Sequence, residues 1–101
     1  MASYKLSIVT PKGLVYENEV DSVAAAGVEG GFGVLSGHAS MLAEIIPGVL
    51  SLKSDGKEQL LVVSDGILEV SEEGVVVLAD RAEPADSLEA AQATLAELVA
   101  H

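Results

Sequence analysis

Tyr4, Leu6 and Ile8 alternate with Lys5 and Ser7 at the start of the chain, the period of two that places one face of a strand in a core and the other in solvent. Thr10-Pro11-Lys12-Gly13 then supplies turn chemistry, with Pro fixing the backbone at one central position and Gly relaxing the exit. Leu14–Tyr16 and Glu19–Ala26 read as two more extended runs, parted by the polar pair Glu17-Asn18. Further along, Val49–Lys53 and Gln59–Ser64 flank the hairpin signal Ser54-Asp55-Gly56-Lys57. Asp65-Gly66 precedes Ile67–Val70, and Ser71-Glu72-Glu73-Gly74 separates that run from Val75–Ala79. Turns recurring at this spacing predict an antiparallel sandwich or barrel, and the succession Val75-Val76-Val77 agrees with it.

After Asp80 the pattern changes to a period near 3.6. Leu88, Ala91, Leu95 and Leu98 form one apolar stripe on a helix predicted over Ser87–Ala100. Asp86 and Glu89 have the spacing of a capping box, with Asp86 as the cap, and Pro84 keeps the residues before it out of the helix. Such a helix is about 21 Å long, marginal by itself, so its stripe must dock on something.

Between these regions lies GVEGGFGVLSGHASMLAEIIPGVL, Gly27 to Leu50, which holds Gly27, Gly30, Gly31, Gly33, Gly37 and Gly48. Glycine at this density predicts backbone conformations that residues with a β-carbon avoid. Phe32, Val34 and Leu35, followed by Met41, Leu42, Ile45 and Ile46, anchor the stretch to a core, so it reads as one shaped, presented loop.

The 101 residues predict one domain, 1–83, with a short helical appendage, 84–101. Tyr4, Tyr16 and Phe32 are the aromatic residues, so stacking platforms for bases are missing, and a formal charge of −11 disfavours nucleic acid and anionic lipid as direct partners. From Asp65 onward Arg81 is the one basic residue among nine acids. The absence of cysteine fits a reducing compartment. MASYKLSIVT reads as a first strand and not as a signal peptide, and no run reaches the ~18 apolar residues of a membrane helix, so membrane association is expected only through another subunit.

Catalytic constellations do not assemble. His38 has its nearest carboxylate, Glu44, six positions away, and no second His or Cys stands near it, so metal-ligand spacing is lacking. A lone histidine in a glycine-rich turn reads as bonding backbone groups of its own loop. No Lys lies between Lys12 and Lys53, which rules out the P-loop pattern, and Gly31 and Gly33 are followed next by Gly37, which breaks the dinucleotide fingerprint. No cofactor and no catalytic residue is expected.

The run VTPKGLVYENEVDSVAAAGVEGGFGVLSGHASMLAEIIPGVL, followed by VSDGILEV and VVVLADRAE, resembles the epsilon chains of rotary ATP synthases from near the first strand to about Glu83. Gly31–Ala39, the Pro47-Gly48-Val49 turn and Leu78-Ala79-Asp80 carry the likeness together. The resemblance implies a β-sandwich of about ten short strands followed by a C-terminal helical segment. It implies a non-catalytic central-stalk subunit that binds the gamma subunit, contacts the c-subunit ring, and sits as a peripheral membrane protein on the cytoplasmic side of a bacterial inner membrane or its organellar equivalent.

By the same resemblance the ring-facing part comprises Val28, Glu29, Gly30, Gly31 and Phe32, while Gly33, Gly37, His38 and Ala39 are a structural signature. Ser36 and Ser40 stand where the family usually has Pro, which costs loop rigidity, and Gly31 replaces a common carboxylate, leaving Glu29 as the acid of that loop. The family's two-helix tail is expected to be one helix here. Leu88-Glu89-Ala90-Ala91-Gln92-Ala93 has Glu and Gln where relatives that bind ATP on the tail have Asp and Arg, so an ATP site is not expected. The competing reading is a free-standing acidic β-sandwich adaptor or ligand-binding module.

Overall fold

The computed structural model describes residues 3–27, 30–35 and 40–99, and of residues 26, 27, 30–32, 34 and 35 the backbone alone. Ten strands and one helix follow each other along the chain: β1 Tyr4–Thr10, β2 Gly13–Val20, β3 Ser22–Gly27, β4 Gly30–Leu35, β5 Met41–Ile45, β6 Gly48–Ser54, β7 Lys57–Val63, β8 Gly66–Ser71, β9 Gly74–Ala79, β10 Ala82–Ala85 and α1 Leu88–Val99. The hydrogen-bonded path is β10-β7-β6-β3-β5-β8-β9-β1-β2, with β4 beside β3. Its two halves are joined at one residue pair, Gly27 with Ile45, and there the path turns from a first layer into a second. Pairing is antiparallel except between β1 and β9, which run parallel.

Strand alternation builds the core between the layers. Leu6, Ile8, Leu68, Val70, Val75 and Val77 from the second layer meet Val23, Leu50, Leu52, Leu61 and Val63 from the first, all of them buried. Each is one residue from an outward neighbour, so the aliphatic surface leaves water without stranding backbone groups, which the ladders satisfy. Tyr4 packs at the margin of this core, where burial pushes its phenol up to about 12, partly offset by a hydrogen bond with the Val23 backbone.

Strand β7 departs from alternation: Leu61, Val62 and Val63 are all buried, yet Val62 is not part of the inter-layer core. The cause is α1, which lies across β7 and touches β6 and β10, burying Ala91 completely. Val62 is therefore covered from outside the sandwich while Leu61 and Val63 are covered from inside it.

Several expectations are corrected by these elements. Glu17-Asn18 does not interrupt a strand; β2 continues to Val20 and the chain breaks at Asp21. Glu17 and Glu19 point outward, where Glu17 accepts from the Ser7 hydroxyl at 3.1 Å and pairs with Lys5 at 3.4 Å, and Glu19 accepts from Ser3 at 3.0 Å. Polar side chains on the solvent face of an edge strand imitate a break in the sequence.

The segment 82–85, expected to be irregular, is strand β10, paired with β7 from Ala82↔Val63 to Ala85↔Leu60. The sheet thus runs past residue 83, and Pro84 is tolerated because β10 is an edge strand. The helix cap is Ser87 and not Asp86: the Ala90 amide donates to Ser87 Oγ at 3.1 Å and the Ala91 amide to its carbonyl at 2.9 Å. Of the predicted stripe Ala91 is buried, Leu95 and Leu98 are half-buried, and Leu88 is exposed.

Candidate functional site

The stretch read as one presented loop is mostly strand. Gly30–Leu35 forms β4, paired with β3 from Gly27↔Gly30 to Ser22↔Leu35, and Met41–Ile45 forms β5. Gly33 sits opposite Ala24, and a β-carbon added there would make only an ordinary contact with the Val23 carbonyl at 3.7 Å. The conformations that demand glycine lie elsewhere, at Gly13, Gly56 and Gly74, each in a turn with positive φ.

The register divides the sequence-predicted site residues between two ends of the sandwich. Gly27, Gly30 and Gly31 lie at the end that also carries Ile45, Gly66, Ala79 and the β1–β2 turn. Leu35 and Met41 lie at the opposite end, near Ser22 and Val70. Val28 and Glu29 at the first end, and Gly37, His38 and Ala39 between Leu35 and Met41, are outside the described residues, as is the expected role of His38. Gly30, Gly31 and Phe32 are placed by backbone pairing with Gly27, Ala26 and Ala25.

Strand β3 is where the layers are tied together. Its start pairs with β6 through Ser22, Val23 and Ala24, its last residue pairs with β5, and its other edge pairs with β4 along the full length. A push on the β3–β4 hairpin end therefore reaches both layers through backbone hydrogen bonds, without passing through a flexible connection.

A second feature was not anticipated from the sequence. On the outer face of the second layer, one row of cross-strand neighbours reads Glu44, Ile67, Leu78, Val9, Leu14. Ile67 is 40% exposed, Leu78 50% and Leu14 59%, and Leu42, one row away beside Glu69, is 69% exposed. Toward the hairpin end the row opens into a groove of about 440 Å³ lined by Val9, Ile67, Leu78 and Ala79, with Asp65 and Asp80 on it. The signal available in sequence was β9 itself, whose unbroken Val75-Val76-Val77-Leu78 run makes both faces of that strand apolar.

No cluster of three or more His, Cys, Asp or Glu suited to a metal ion occurs among the described residues. The ion pairs among them are Lys5–Glu17 and Arg81–Glu83, both on the surface. The described surfaces offer shape, apolar area and carboxylates for contact with a partner.

Residues 3–85 match the family model described as ATP synthase, Delta/Epsilon chain, beta-sandwich domain. The chain is 46% identical over 92 residues to the ATP synthase epsilon chain of Nitrobacter winogradskyi and 45% over 92 residues to that of Rhodopseudomonas palustris, covering 91% of this chain and 68% of each relative. In shape it is similar to a chain of the Euglena gracilis mitochondrial ATP synthase, solved as OSCP/F1/c-ring, with a TM-score of 0.80 at 24% identity, spanning 99% of this chain and 63% of that one. A chain of the Tetrahymena thermophila central stalk/c-ring structure gives 0.69 at 11% identity over 98% of this chain and 91% of that one.

Proposed function

This chain belongs to the ATP synthase delta/epsilon family as an epsilon chain, a non-catalytic subunit of that complex, and from that premise we propose that it couples the gamma subunit to the c-subunit ring during rotary ATP synthesis. The reading rests on one observation, the attachment of the β3–β4 hairpin to both layers of the sandwich. A coupling subunit has to pass force from one contact to another without yielding, and a hairpin tied by backbone bonds to β6 and β5 does so. In this reading Val28, Glu29, Gly30, Gly31 and Phe32 meet the ring. Gly33, Gly37, His38 and Ala39 shape the return of the chain toward β5.

The subunit is held at the membrane through the complex, on the cytoplasmic side of a bacterial inner membrane; no described helix is long and apolar enough to cross a membrane. The sandwich, 1–83 with β10 completing its edge, is the coupling unit, and 84–101 adds a helix that binds no ATP. Gly31→Trp tests the ring contact in the assembled enzyme. Proton pumping driven by ATP is expected to fall while ATP hydrolysis persists and binding to isolated gamma subunit is unchanged. Lost gamma binding with intact pumping would assign the hairpin to gamma and overturn this arrangement.

A further inference from the structure

The groove row on the second layer differs from ordinary scattered surface hydrophobics. Ile67, Leu78, Val9 and Leu14 are consecutive neighbours on β8, β9, β1 and β2. At a strand spacing of about 4.8 Å they make a strip about 14 Å long. Carboxylates border it: Glu44 at one end, Glu69 in the adjacent row, and Asp65 and Asp80 along the groove. All four are exposed, and none forms an ion pair with a described residue.

We propose that this face is a docking surface for a partner polypeptide that brings an apolar strip bordered by lysine or arginine. The proposal rests on the functional reading above, in which that partner is the gamma subunit. A second copy of the chain is a poor occupant, because its own border of carboxylates would oppose this one and each chain carries a formal charge of −11. A wholly apolar partner would desolvate Glu44, Glu69, Asp65 and Asp80 without compensation. Basic flanks satisfy these carboxylates, steer the encounter and fix the register, while the strip supplies buried area.

The full chain titrated with purified gamma subunit from the same complex tests this. Leu78→Lys and Ile67→Lys, both at exposed positions, are expected to keep the fold and to weaken binding by roughly tenfold or more. Gln92→Lys, exposed on α1 over the other layer, is expected to bind as the wild type does. Wild-type affinity is expected to fall between about 50 and 500 mM salt, and Glu44→Lys with Glu69→Lys to lower affinity by roughly threefold to tenfold and to flatten that dependence. Wild-type affinity in both strip variants, or salt-independent binding, overturns the docking surface while leaving the coupling function standing. Failure of the unmodified chain to bind gamma at all removes the functional reading, and this proposal with it.

Discussion

The two layers share one core but treat their outer faces differently. On the first layer the chain covers its own sheet: α1 lies over β7, and Val62 and Ala91 are fully buried outside the inter-layer core. On the second, Ile67, Leu78 and Leu14 remain 40–59% exposed in one row across four strands. Both sheets carry more apolar surface than a single core needs. The chain has one helix with which to cover it, and β10 delivers that helix to β7. The uncovered face is the one available to another subunit.

The sharpest way to break this comparison is to remove comparable aliphatic groups from each face. Val62→Ala should cost ~2 kcal/mol, since the methyls leave a space between α1 and β7 that packing only partly refills. Leu78→Ala, on the open face, should change stability by less than about 0.5 kcal/mol in spite of deleting a larger side chain. Urea unfolding of the two variants measures both; equal losses would mean that the second face is as well covered as the first.

A smaller effect is expected from the cap that starts the covering helix. Ser87→Ala removes the acceptor for the Ala90 amide and should cost about 1 kcal/mol. Asp86→Ala should do much less, because the observed cap bonds are made by Ser87. Denaturant midpoints of the pair decide between the two caps.

The smallest effect concerns pH at the margin of the shared core. The folded-state phenol of Tyr4 is raised to about 12 from an ordinary value of 10.0, so the native state holds this proton more tightly than the unfolded chain does. Its contribution is fully present below pH 10 and is lost as pH rises toward 12. Tyr4→Phe should flatten that part of the alkaline fall in the urea midpoint, and an unchanged slope would remove Tyr4 from its causes.

Much of this was legible before the fold was known. The turns at Asp55-Gly56 and Asp65-Gly66, the alternation in β1 and the 3.6-residue period of α1 each reflect local chemistry acting within a few residues. The glycine-rich stretch misled because glycine is counted equally in a loop and in a strand, and only the ladder from Gly27↔Gly30 to Ser22↔Leu35 shows which it is. Strand β10 was hidden by Pro84, whose missing amide matters only if both edges of the strand are paired.

Sequence by itself determined the strands' sidedness, the turns, the helix and, through a run of matching residues, the family. Tertiary structure alone decided which apolar faces meet. Periodicity says that Val62 and Leu78 sit on faces opposite Leu61 and Val77, but whether such a face is buried depends on what lies across from it. That is settled by pairings distant along the chain, Gly27 with Ile45, β1 with β9 and α1 on β7. Their loop-closure cost and packing gain belong to the whole fold and have no signature in any short window of residues.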